Sequence, residues 1–271
     1  MHIVVFRGGL GNQLFEYSFY HKYQCQGKKM RYLFHYWWNP HNGFELVKWF
    51  DVNPVLAPSF FIKLYAFLRP LFRRLVERQI RIPLLYDDED HFNGKIKALY
   101  QLGYWQDKQF LEKGVIKFKE LALSDANLAV AKQMKETASV AIHIRRGDYL
   151  TTRDKKISGS VCPIDYYHKA IALVREKIKS PQFFIFSDDI EWAKTNLILE
   201  NSVYIDWNKG QDSVYDMYLM SLAKVNIIAN STFSFWSAYL NDHSEMVIYP
   251  LKWFNSAYKS PDIFPSDWLG I

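Results

Sequence analysis

Two cysteines, Cys25 and Cys162, are all that the 271 residues contain, and they form no CxxC pair. A disulfide framework and a thiolate zinc site are therefore not expected, and a reducing compartment is the simplest setting. No apolar run reaches the ~18 residues a membrane-spanning helix requires. The opening segment MHIVVFRGG lacks the apolar core and cleavage site of a signal peptide, so the protein reads as cytoplasmic. A long basic tail is also missing. The formal charge of +6 is spread along the chain, which gives no sign of nucleic-acid binding and fits an anionic small molecule or a membrane surface equally well. The glycine-rich turn Gly8-Gly9-Leu10-Gly11 is not GxGxxG, and Lys28–Phe34 lacks the acidic residue a dinucleotide site would carry.

What is present is a large core and many rings. Apolar residues make up 49% of the chain and charged ones 23%, so disorder is not expected. The length exceeds that of a single ~100–200-residue domain, and the chain is expected to divide into two, 1–135 and 136–271. Nine Trp, eighteen Tyr and twenty Phe supply faces that can stack on sugars or bases, although most must serve the core.

The second half alternates regularly. Apolar strands are expected at Val140–Ile144, Phe183–Phe186, Val203–Ile205, Val225–Ala229 and Met246–Tyr249. Helical patterns lie near Ile164–Lys179, Asp189–Asn196, Ser213–Leu222 and Ser234–Leu240, and Ser124–Thr137 reads as a helix leading into this half. Repeated β-α-β units with short connections imply a parallel, doubly wound sheet with its ligand beyond the carboxyl ends of the strands. The first half opens as strand Ile3–Phe6, a glycine turn and helix Asn12–Gln26 closed by Gly27. Phe60–Arg81 interleaves apolar residues with Lys63, Arg69, Arg73, Arg74, Arg78 and Arg81, and Pro70 is expected to break it into two helices. Its bland reading is a pair of packing helices with a solvated face. The alternative is a basic amphipathic surface that lies on anionic lipid.

The polar clusters sit at strand ends. In SVAIHIRRGDY, Ser139–Tyr149, a strand runs into His143, Arg145, Arg146 and Asp148. Arginine is the usual partner of a phosphate, although an Arg-Asp pair at a strand end can also be a structural salt bridge. Asn230-Ser231-Thr232-Phe233-Ser234 follows the strand Val225–Ala229. Its hydroxyls and free N–H groups at a helix start suit a phosphate, unless Ser231 or Thr232 is merely an N-cap. Asn230-Ser231-Thr232 also matches a glycosylation sequon, a poor acceptor where it enters a helix of a cytoplasmic chain. Asp188 and Asp189, after Phe183–Phe186, can bind sugar hydroxyls, act as a base or cap the next helix. Asp216 can accept from guanine N1 and N2 or be ordinary surface charge.

Taken together, Gly8–Tyr20 (GGLGNQLFEYSFY), Ala141–Tyr149 (AIHIRRGDY) and Asp216–Tyr239 resemble the bacterial alpha-1,2-fucosyltransferases of glycosyltransferase family 11 over essentially the whole chain. The resemblance implies a GT-B-like α/β fold, two Rossmann-like domains facing a cleft. The second would hold GDP-beta-L-fucose and the first would serve the acceptor, a galactose-terminated glycan. It places Arg145 on the donor diphosphate with Arg146 in support, and His143 and Asp216 near the guanine. Ser231, Thr232 and Ser234 match the hydroxyl-rich loop near the phosphates, and Gly11, Asn12 and Gln13 match the GNQ turn. Arg145, Asp148 and Asn12 are the catalytic candidates; Glu16, where the family turn reads Gln, joins Asp188 and Asp189 as candidate base or sugar contacts. The implied reaction is inverting and needs no metal or other cofactor. The aromatic Tyr36–Trp49 region is a candidate acceptor site, and the aromatic carboxyl-terminal tail is expected to return to the first domain.

Two other readings stand beside this one. Asp88-Glu89-Asp90 is a DxD triplet that could bind a divalent ion and a different nucleotide sugar, although the segment reads as a solvated loop. The phosphate cradle could also belong to a non-catalytic nucleotide-sugar or glycan-binding module.

Overall fold

The computed structural model describes residues 1–35, 41–78, 80, 82–90, 92–147, 149, 157–159, 161–255 and 260–271. It divides into two compact units, Met1–Ile116 and Lys117–Ile271. The first carries β1 (His2–Phe6), α1 (Leu10–Cys25), β2 (Met30–Phe34), the single turn α2 (Leu46–Trp49), α3 (Ser59–Glu77), β3 (Tyr86–Asp88) and β4 (Tyr100–Leu102). The second carries α4 (Asp125–Glu136), β5 (Ser139–Ile144), α5 (Ile164–Lys177), β6 (Gln182–Ser187), α6 (Ile190–Asn196), β7 (Ser202–Ile205), α7 (Ser213–Met220), β8 (Val225–Ile227), α8 (Thr232–Tyr239), β9 (Met246–Tyr249) and β10 (Leu269–Gly270).

In the first unit four strands pair in parallel in the order β2-β1-β4-β3. Ile3 and Val5 of β1 and Tyr100 of β4 pack with Phe72 and Leu75 of α3. Gly27, at φ +77°, closes α1 as its sequence suggests, since a left-handed helix terminus favours glycine. Pro70 does not split the next helical segment. α3 runs unbroken through it because Pro70 and Ala66, whose carbonyl loses its donor, are both exposed, while Phe61, Leu68, Phe72 and Leu75 anchor the opposite side. The triplet Asp88-Glu89-Asp90 is likewise no plain solvated loop. Asp88 is a buried residue of β3, paired in parallel with β4, and the Glu89 carboxylate accepts from the Trp105 amide.

The second unit is a six-stranded parallel sheet in the order β10-β9-β8-β5-β6-β7. Counted from its own first strand this is the doubly wound order 3-2-1-4-5-6, with the topological switch between β5 and β8. Side chains alternate across it. Val140, Ile142 and Ile144 of β5 face Tyr167, Ile171 and Val174 of α5. Ala141 lies on the other face with Met134 of α4 and Leu219 and Met220 of α7. α4 thus belongs to this core, which puts the division between the units at 116/117 and not at 135/136. The tail also differs from expectation. It does not leave the second unit, because β10 pairs with β9 and Phe264 stacks on Tyr249 at 3.8 Å.

Among the described residues no helix is long and apolar enough to cross a membrane. The buried Tyr166 hydroxyl donates to the carbonyls of Ile228 (2.7 Å) and Ile248 (3.3 Å), pinning the ends of β8 and β9. Tyr166→Phe removes both hydrogen bonds, with the Ile248 carbonyl keeping the Ile228 amide, and urea unfolding is expected to report a loss of about 1 kcal/mol.

Candidate active site

Register sets the site. Ile144 of β5 lies opposite Ser187 of β6, so the next residue on each chain, Arg145 and Asp188, emerge side by side. Arg145 Nη1 sits 3.1 Å from Asp188 Oδ2, with both side chains about one-quarter exposed. Asp188 Oδ1 accepts from the Arg146 amide at 2.8 Å. One residue further on, Arg146 Nε meets Asp189 Oδ2 at 3.1 Å and its guanidinium lies 4.0 Å over the Trp192 ring. Asp189 also caps α6, accepting from the Trp192 amide at 3.3 Å. Both carboxylates therefore hold arginines. Gly147 makes room for this, since a Cβ there would stand 2.8 Å from Asp188 Oδ2.

Across the switch point the chain leaves β8 through Asn230. Its amide is consumed structurally: Nδ2 donates to Ser158 O (3.1 Å) and Trp253 O (3.0 Å), and Cys162 Sγ donates to Oδ1 at 3.5 Å. Its burial rules Asn230 out as a glycosylation acceptor, and the Cys162 thiol is pushed up to about 12 by its own desolvation. Tyr149 donates to the Asn230 carbonyl at 2.8 Å and so ties the loop after β5 to the loop after β8, with the Arg145 guanidinium 5.7 Å from its ring. Ser231 is the N-cap residue of α8, yet its side chain makes no capping hydrogen bond. The Ser234 hydroxyl is buried and turns back to the carbonyls of Ala229 (3.3 Å) and Ser231 (3.2 Å). Ser231 and Thr232 thus stand at the positive end of a helix dipole beside the β5 loop.

His143 follows Ala141 on the α4/α7 face of the sheet. Burial, with the Arg145 charge as a second cause, pushes it down to about 3, so the imidazole is neutral. Its carbonyl accepts from Tyr167, its ring lies 5.7 Å from Phe233, and its buried Nδ1 has no hydrogen-bond partner. α7, on the same face, carries Asp216. The Asp216 carboxylate accepts from Asn208 at 2.8 Å, and burial raises it from 3.8 to about 7. Asn208 and Asn127 exchange amide hydrogen bonds of 3.0 Å, and Trp207 Nε1 donates to Asn127 at 2.8 Å. Asp216 is thus part of a polar network and not ordinary surface charge.

The remaining candidates lie on the first unit. Gly8, at φ +77°, turns the chain beside Asn12, whose Nδ2 would stand 2.7 Å from an added Cβ. Asn12 Oδ1 accepts from Gln106 at 3.2 Å, and Gly11 is buried in the first turn of α1. Gln13 is fully buried and saturated: it donates to Gly8 O and Gly43 O and accepts from the Glu45 and Leu46 amides. Glu16 is also fully buried. Burial raises its carboxyl well above the usual range, and both its oxygens accept from the Arg7 amide, at 3.1 and 3.0 Å. Gln13 and Glu16 are braces of the turn.

Asp148 lies outside the described residues, as do residues 36–40 of the Tyr36–Trp49 region. Among the described residues no three His, Cys, Asp or Glu side chains are placed to hold a metal ion. Trp192, Tyr149 and Asn208 are site residues that the strand and motif patterns did not single out. Register arithmetic from the two strand ends would have found the Arg145–Asp188 pair; nothing local marks Asn127 or Asn208.

Two parallel α/β units, the second with a cationic strand end facing an uncapped helix start at its switch point, define a glycosyltransferase of the GT-B fold. The fold is shared with a crystal structure of NodZ alpha-1,6-fucosyltransferase soaked with GDP-fucose, at a TM-score of 0.51 and 13% identity over 89% of this chain and 92% of that one. Residues 86–271 match glycosyl transferase family 11, and the chain belongs to that family. It is 32% identical to an alpha-1,2-colitosyltransferase of Escherichia coli over 100% of this chain and 99% of that protein. It is 28% identical to galactoside alpha-(1,2)-fucosyltransferase 1 of Sus scrofa over 49% of this chain and 38% of that protein.

The raised Asp216 carboxyl has a consequence for stability. The folded protein holds a proton there between about pH 4 and 7 that the unfolded chain releases, so this group's contribution falls as pH rises through that window. Unfolding of wild type and Asp216→Asn at pH 5 and pH 7 is expected to show the wild type losing about 1–3 kcal/mol relative to the variant.

Proposed function

We propose that the chain moves L-fucose from GDP-beta-L-fucose to O2 of a galactoside, forming an alpha-1,2 linkage by direct displacement in the assembly of a surface glycan. The observation that carries this reading is the pairing of Arg145, held by Asp188, with the free amino end of α8 at the switch point of the second sheet. That position is where a doubly wound sheet takes a nucleotide diphosphate. Neutral His143 and carboxylate Asp216, on one face of the same sheet, suit a guanine: an ionised Asp216 can accept from N1 and N2.

The chemistry follows from charge. The acceptor oxygen bonds to C1 of fucose as the C1–O bond to the beta-phosphate breaks; GDP leaves with that electron pair, and the acceptor proton departs late. Negative charge grows on the beta-phosphate, so a fixed guanidinium stabilises the transition state more than the ground state. Arg145 supplies it, and Asp188 acts as a positioning residue: its carboxylate holds the guanidinium at the strand end, where the guanidinium meets the phosphate on donor binding. Asp188, Asp189 and Glu16 are each committed to arginine or backbone partners, which argues against any of them as the base. An oxocarbenium-like centre attacked by a hydroxyl has little need of a strong one.

A second donor reading, colitose, is favoured by the full-length similarity to an alpha-1,2-colitosyltransferase. Colitose is L-fucose without the 3-hydroxyl, so both donors suit the same diphosphate site. GDP release measured in EDTA, with and without lactose, separates the possibilities. Acceptor-dependent release from GDP-fucose is expected, falling on the order of 100- to 1,000-fold in Arg145→Ala. Release from GDP-colitose alone would reassign the donor. Wild-type turnover that needs a divalent ion, or that survives the substitution, would remove the arginine mechanism.

A further inference from the structure

α3 has two apolar faces, and only one is used by the fold. Phe61, Leu68, Phe72 and Leu75 point into the first unit's core. A neighbouring face carries Phe60, Lys63, Phe67, Leu71 and Arg74, with Arg78 in register just past the helix end, spaced three and four apart and therefore in one stripe. Phe67 is 81% exposed, Phe60 66% and Leu71 42%. Three large apolar side chains, two of them aromatic, exposed on one helical stripe are not explained by packing, since the same helix already has a buried face. Cations flank them, and the only carboxylate of the helix, Glu77, lies off the stripe and pairs with Arg73 at 2.9 Å. Ile80, Ile82 and Leu84 extend the exposed apolar surface just beyond the helix.

We propose that this outward face of α3 docks the enzyme on an anionic phospholipid bilayer, with Phe60, Phe67 and Leu71 entering the interfacial region and Lys63, Arg74 and Arg78 meeting headgroup phosphates. An aromatic and aliphatic stripe edged by cations is the pattern of a helix that lies in a membrane surface. The chemistry points to lipid over a second copy of the chain. Two such stripes face to face would set Lys63, Arg74 and Arg78 against like charges. With five charged residues α3 is not apolar enough to cross the bilayer, so it would lie on it. This inference does not depend on which sugar is transferred.

Sedimentation of the full-length chain with vesicles tests it. Phosphatidylcholine mixed with phosphatidylglycerol is expected to carry the protein down, and phosphatidylcholine alone is not. Phe67→Ser, and separately Lys63→Glu with Arg74→Glu, are each expected to lower the partition coefficient about tenfold, and raised salt to weaken it further. All three positions are solvent-facing, and unchanged thermal unfolding of the variants checks that the fold is intact. No binding to the anionic vesicles, or binding indifferent to both variants, overturns the proposal. So does concentration-dependent self-association that Phe67→Ser abolishes, because the stripe would then be a contact between copies.

Discussion

Ile144 pairs with Ser187, and Ile142 pairs with Ile227, in one parallel sheet. From these two registers the polar site follows. The first brings Arg145 and Asp188 to adjacent strand ends, and the second puts the turn after β8, with the start of α8, on the other side of Arg145. A one-residue slip of β6 would send Phe186 and Ser187 to the wrong faces and leave the guanidinium without its carboxylate. The apolar alternation of β5 and β6 forbids that slip, because Phe183 and Ile185 fill one layer while Phe184 and Phe186 fill the other. Core packing thus sets the direction of a charge.

The site is also buttressed by groups that do no chemistry. Asn230 is buried to bind three loops together, Tyr149 bridges two of them, and Gly147 is small so that Asp188 can approach. Each contact restricts the motion of a charged or hydroxyl-bearing neighbour. A preorganised donor of this kind need not reorganise as charge develops on a leaving phosphate, and that is where rigid positioning gains most over water. The first unit has its own version: Gln13 and Glu16 saturate backbone groups around the β1–α1 turn, and Asn12 is left half-buried at its edge.

Much of this was legible in the residues. Period-two alternation and short connections gave the second sheet, its strand ends gave Arg145 and Ser231, and Asp189 stood where a cap belongs. Four things were not legible, each for a physical reason. Water can satisfy the carbonyl that Pro70 leaves without a donor because that carbonyl lies on the exposed side of α3, and exposure cannot be read from a proline. The placement of α4 in the second unit depends on which sheet face it covers, a tertiary choice. Glu16 and Asp188 have the composition of bases, yet a carboxylate's role is set by what its oxygens already hold. The Asn127–Asn208–Asp216 network joins residues far apart in sequence and carries no local mark.

The central claim is that the donor diphosphate lies at the switch point between β5 and β8, met by Arg145 on one side and the amino end of α8 on the other. A crystal structure of the complex with GDP tests it most directly. The account predicts the beta-phosphate within hydrogen-bond distance of the Arg145 guanidinium and of the Ser231 or Thr232 hydroxyl and first-turn amides of α8. A diphosphate bound elsewhere, out of reach of the Arg145 guanidinium, would contradict it.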